Sequence, residues 1–156
     1  MINTLDSLLT YENIYLFTNL GVIPFWLLLI FMPNHKITNF FSHSIVAPLL
    51  LAVAYIFVTQ QIILEDNIFE GFKLYLGLDG LDEIYSNESI RLIFWLHFLA
   101  VSLFVGAWIA RDSERNFVPK ALSAPCILLA YFTGPFGIVI YWFIRIFYAK
   151  KINFNE

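Results

Sequence analysis

The chain has 156 residues, of which 60% are hydrophobic and 13% charged, with a formal net charge of −3 and a mean hydropathy of +0.74. A soluble domain carries about 45–50% apolar and about 25% charged residues, and so short a chain has too little interior to hide the excess. This composition excludes an ordinary soluble globule, and an acidic balance without a basic stripe excludes a nucleic-acid partner.

The expected fold class is all-α: an integral membrane bundle of four transmembrane helices, with one interfacial amphipathic helix in the second loop. Residues 1–12 carry Asp6 and Glu12 but no Lys or Arg, unlike a secretory signal or a transit peptide. The expected location is therefore a bacterial inner (plasma) membrane, with insertion through the first span. One cysteine, Cys126, leaves no intrachain disulfide to form.

Span one is expected at residues 14–32 and contains no charge. At a rise of 1.5 Å per residue it covers roughly 28 Å, about one hydrocarbon thickness. Pro24 frees a carbonyl inside it and should bend it; Asn19 is placed to satisfy such a group or to bond a neighbouring helix. After a loop at 33–42, span two is expected at 45–64, with Pro48 in its first turn, where a missing N–H costs least. Residues 65–88 are too charged to cross. Asp66, Glu70 and Lys73 fall opposite Ile68, Phe69, Phe72, Tyr75 and Leu76, which predicts an interfacial helix at about 66–76, with Gly77 as its stop and Asp79-Gly80 as a turn.

Span three is expected at 90–110. One of its faces carries His97, Val101, Phe104, Trp108 and Arg111; another carries Ser102, Gly106 and Ala110, a small-residue series that suits close helix packing. An ionisable residue inside a span is a functional candidate, and His97 can move a proton or ligate a metal. The alternative is a neutral imidazole bonded to a neighbouring helix. Asp112 either accepts a proton and holds a polar end group or, with Arg111 reaching the headgroups, simply ends the span. No Cys/His/carboxylate set has metal-ligand spacing, and no nucleotide or haem motif is present, so neither metal nor cofactor is expected.

Span four is expected at 125–148, broken midway by Gly134-Pro135-Phe136-Gly137. Lys36, Arg111, Arg115 and Lys120 in the first and third loops belong on one side of the membrane, but four spans put Arg145, Lys150 and Lys151 on the other. A re-entrant segment turning back at Gly134-Pro135 removes that conflict. The expectation kept is a kinked full span.

Four stretches together resemble one family. They are Leu16-Phe-Thr-Asn-Leu-Gly-Val-Ile-Pro-Phe-Trp-Leu-Leu-Leu, Trp95-Leu-His-Phe-Leu-Ala-Val-Ser-Leu-Phe-Val-Gly-Ala-Trp-Ile-Ala-Arg-Asp, Pro125-Cys-Ile-Leu-Leu and Gly134-Pro-Phe-Gly. In order and spacing they are similar to the abscisic-acid-deficient family of small membrane proteins, whose plant members are required for neoxanthin synthesis. The resemblance implies a four-helix membrane fold and a carotenoid-related isomerisation, a diepoxide becoming an allene. It carries over Asn19, Pro24, Trp26, His97, Gly106, Trp108, Asp112, Pro125, Gly134 and Pro135; for an enzyme of this kind the expected catalytic groups are His97 and Asp112, and the expected substrate-binding groups are Asn19, Trp26, Trp95, Trp108 and Arg111. Pro24, Ser102, Gly106, Pro125, Gly134 and Pro135 would be structural. Two positions depart from the family pattern: Ser102 stands where an Asp is usual and Ala107 where an Arg is usual. The alternative is a non-catalytic carotenoid- or lipid-binding subunit, or an assembly subunit of a membrane complex. Expected partners are membrane lipid, a carotenoid or other isoprenoid ligand, and a second copy or another membrane protein.

Overall fold

The computed structural model describes residues 10–41, 46–64, 75 and 77–149. These form seven α-helices and no strand: α1 (Tyr11–Phe31), α2 (Lys36–Phe41), α3 (Val46–Leu64), α4 (Leu78–Ser86), α5 (Glu88–Arg115), α6 (Lys120–Thr133) and α7 (Pro135–Ala149). Three of them, α1, α3 and α5, are long and apolar enough to cross a membrane.

Local chemistry accounts for most of the boundaries. The Thr10 side chain accepts from the Asn13 N–H and starts α1, with Glu12 in the favourable first turn. Pro33 follows the Met32 C-cap and cannot continue the helix. Part of the first loop is helical: in α2 the Thr38 hydroxyl donates to the Met32 carbonyl at 2.6 Å and ties the short helix to the end of α1. Asn87 caps α5 through its Oδ1, which accepts from the N–H groups of Ser89 and Ile90. With 28 residues, α5 is about 42 Å long and carries Arg111–Arg115 past the hydrocarbon layer. It is also the central helix: 44% of its most apolar stretch is buried, against 22% for α1 and for α3.

The expected interfacial helix at 66–76 lies outside the described residues except for Tyr75. The segment after it differs from expectation. Gly77, at φ 121°, precedes a helix, and Asp79-Gly80 lies inside α4. Asp79 sits in the first turn, where the helix dipole favours an acid, and buried Ile84 anchors α4 against Ile90, Leu92, Leu96 and Val58.

The fourth segment is not one kinked span. Gly134 adopts φ 57° and ψ −90°, and α7 folds back along α6. A Cβ built on Gly137 would lie 2.5 Å from the Ala130 nitrogen and 2.6 Å from the Cys126 carbonyl oxygen. Cys126 and Gly137, 11 positions apart, would sit about 16 Å apart along a continuous helix. At 14 and 15 residues, about 21 and 22 Å, neither arm of this hairpin is long enough to cross alone. Three residues make the reversal: Gly134 takes the left-handed backbone, Pro135 opens α7 where no N–H is needed, and Gly137 lets two backbones touch. The described helices are thus three candidate spans and a helical hairpin. The hairpin brings Arg145 back to the end of the bundle that carries Arg111, Arg115 and Lys120.

Outward-facing Phe17, Leu50, Val53, Ile56, Phe104 and Phe143 leave an apolar exterior suited to lipid.

Candidate functional site

Asp112, near the end of α5, is buried, and its Oδ2 accepts from two groups of α7. The Tyr141 hydroxyl donates at 2.7 Å and the Arg145 Nε at 2.7 Å. Tyr141 is fully buried and Arg145 is 4% exposed. The four-residue spacing puts both donors on one face of α7, one turn apart. Trp108 closes the cluster, its ring edge-on to Tyr141 at 5.7 Å and 87°. The Asp112 carboxylate is therefore committed to holding the hairpin against α5. Neither Tyr141 nor Arg145 was among the expected site residues. The signal in the sequence was an arginine inside the apolar run Tyr141-Trp-Phe-Ile-Arg-Ile-Phe, which demands a buried partner.

His97 lies elsewhere. It is 15 positions from Asp112 on the same helix, about 22 Å away, so the two expected catalytic groups cannot work on one reacting centre. Its side chain is exposed on the wall of a groove of about 430 Å³ between α5 and the tip of the hairpin. Phe94, Phe98, Val101, Val105, Pro135 and Ile138 supply the apolar lining; His97, Ser102 and Tyr85 supply the polar groups. Ser102 is buried at the groove floor, and a Cβ on Gly134 would meet its Oγ at 3.2 Å. One of the two positions that depart from the family pattern thus touches the hairpin tip. The other, Ala107, is buried in the core.

A second cavity of about 460 Å³ adjoins the first, sharing Tyr85, Phe94 and Phe98 and adding Arg91, Trp95, Tyr131 and Phe132. Flat aromatic pairs line the two: Trp95 stacks on Phe98 at 5.5 Å and Tyr85 on Phe94 at 5.0 Å. Trp95 is held in place by its Nε1–H, which donates to Asn19 Oδ1 at 3.1 Å, while Asn19 Nδ2 donates to the Tyr15 carbonyl. Asn19 therefore bonds a neighbouring helix, one of the three roles expected of it. From Arg91 to Val105 the two cavities follow α5 for about 21 Å.

The remaining expected residues line neither cavity. Trp26 is buried against the Gly106 backbone, where a Cβ would lie 2.5 Å from the indole ring, and it meets Tyr131 edge-on at 5.2 Å. It lines neither cavity. Pro24 and Pro125 lie within α1 and α6, and Arg111 is half-buried beside Asp112. Among the described residues no three His, Cys, Asp or Glu side chains gather as metal ligands.

The ABA DEFICIENT 4-like family model matches residues 13–141, which takes in α1 through Tyr141 and both cavities. The chain is 26% identical over 139 residues to Protein ABA DEFICIENT 4, chloroplastic, of Arabidopsis thaliana; the match covers 87% of this chain and 60% of that relative. The chain thus spans about three fifths of the curated relative's length. Because that relative is chloroplastic, it lends no support to the expected bacterial inner membrane. No solved structure matches. A match running from the first span into the last helix leaves one conclusion: the chain belongs to the ABA DEFICIENT 4-like family.

Proposed function

We propose that this chain takes a lipid-dissolved carotenoid into the groove along α5 and acts on its end group beside His97. The observation that carries this reading is the groove itself: two adjoining cavities about 21 Å long, walled by stacked aromatic rings, with His97 and Ser102 as polar groups along the wall. A rigid polyene fits such a channel at little entropic cost, because few rotors freeze. A pocket that is mostly apolar with a few placed polar groups is the usual form of a small-molecule site. The family resemblance supports a carotenoid as the occupant.

For an epoxide-to-allene isomerisation, an acid must protonate the epoxide oxygen as its C–O bond breaks, and a base must take a carbon-bound proton. The reaction is redox-neutral, and atoms balance without a co-reactant. His97 is the proton-transfer group, and the Ser102 hydroxyl is placed to hold oxygen at the groove floor. Asp112 has no part in this step, being about 22 Å away and already paired.

One observation favours a second reading, binding without chemistry: among the described residues no Asp, Glu, Lys or Arg joins His97 in lining its cavity. Co-expression with an epoxy-carotenoid pathway, followed by pigment separation, decides between them. Catalysis predicts an isomer of unchanged mass that disappears in His97→Ala. Pigment that co-purifies unaltered, with the protein confirmed in the membrane, supports binding alone.

A further inference from the structure

At the opposite end of the bundle from Asp112, where α1 and α5 begin, lies a third cavity of about 400 Å³. It is lined by Tyr11, Glu12, Tyr15, Glu88, Arg91, Leu92 and Trp95. We infer that it binds the headgroup of a zwitterionic glycerophospholipid, one phosphate and one ammonium. This inference does not rest on the carotenoid reading.

The charges are the first argument. Glu12, Glu88 and Arg91, side chains of both signs, line one cavity without, among the described residues, pairing with one another. Arg91 suits a phosphate, which its planar guanidinium grips through two parallel N–H donors. Two carboxylates suit a cation. With one positive and two negative groups, the cavity disfavours a purely anionic headgroup and matches one that carries both signs.

The aromatic wall is the second argument. Tyr15 and Trp95 lie 5.8 Å apart at 43°, and the Asn19 bond fixes the indole plane. Ring faces beside carboxylates form the environment that recognises alkylammonium groups. Depth is the third. The cavity lies in the first turns of two candidate spans, and Trp and Tyr at that level mark the headgroup zone.

The test is lipid retention. The purified full chain is reconstituted into vesicles of phosphatidylethanolamine, phosphatidylglycerol and a neutral glycolipid in equal amounts. It is then re-extracted in mild detergent, and bound lipid is counted by native mass spectrometry. A parallel set uses phosphatidylcholine in place of phosphatidylethanolamine. The wild type should retain the zwitterionic lipid several-fold over both others. Arg91→Gln should abolish the excess. Glu12→Gln with Glu88→Gln, which leaves the cavity net positive, should shift retention toward phosphatidylglycerol. All three side chains are exposed, and unchanged melting temperatures would show that the variants fold. Equal retention of all lipids by the wild type, preference for the glycolipid, or a preference untouched by Arg91→Gln would overturn the assignment. Pigment conversion at His97 is a separate readout, so either idea can fail while the other stands.

Discussion

Replacing Gly137 with alanine adds a single methyl group, and the fold-back of α7 decides the sign of its effect. That Cβ would sit 2.5, 2.6 and 2.7 Å from the Ala130 nitrogen, the Cys126 carbonyl oxygen and the Ala130 Cα. Ordinary contact begins near 3.4 Å, so α7 must retreat by most of an ångström. The obstacles are backbone atoms, which cannot swing aside as a side chain does. Overpacking of this kind costs about 1–3 kcal/mol. Alanine's better helix propensity returns at most about 1 kcal/mol, and less in a first turn. The expected net loss is about 1–2 kcal/mol, or a fall of several degrees in melting temperature at this chain length. Gly21 is the control. It lies within α1 with nothing within 4 Å of its built Cβ, so Gly21→Ala should stabilise by up to about 1 kcal/mol. Both variants would be melted in the same detergent. If 120–149 were one kinked helix, Gly137 would have no α6 backbone beside it, and both alanines would raise the melting temperature. That result would refute the hairpin.

The buried pair makes a second prediction. Arg145→Met leaves Asp112 with a buried, uncompensated charge and should cost about 3–5 kcal/mol, whereas Arg145→Met with Asp112→Asn should recover much of the loss; a double-mutant cycle in denaturant reads the coupling. Tyr141→Phe removes one donor to the same carboxylate and should cost about 1–3 kcal/mol. Topology gives another: reporters placed after Ala149 and in the 116–119 turn should fall on one side of the membrane, with an N-terminal reporter on the other. Four full spans would put both chain ends on the same side.

The three long helices were legible because length and hydropathy alone select them, and lipid leaves few alternatives. The end of α5 was legible only in part. Its last turns carry Arg111 to Arg115, which marked the edge of the apolar layer but not the end of the helix. Gly134-Pro135 announced a break without giving its angle. The angle depends on Gly137 meeting Cys126 and Ala130, a contact no local pattern encodes. The distribution of charge held a clue: Arg145 conflicts with Arg111 and Lys120 in a four-span chain and agrees with them in a hairpin. At the site, the Asn19 to Trp95 bond was within reach, since a polar group in a span must find a partner on another helix. The family resemblance brought His97 and Asp112 together, although helix geometry already separated them by about 22 Å. Tyr141 and Arg145 were missed because their role exists only after α7 turns back. Asp79-Gly80 was misread because its turn propensity yielded to the burial of Ile84.

Pigment retention tests the groove most directly. The chain would be purified from carotenoid-containing membranes and its visible absorbance compared with that of two variants. Val101→Trp fills the cavity beside His97, and Phe104→Ala alters a lipid-facing neighbour that lines neither cavity. Bound carotenoid in the wild type and in Phe104→Ala, with its loss from a folded Val101→Trp, is the predicted outcome. A wild type that purifies colourless, or a Val101→Trp variant that keeps its full pigment, would contradict it.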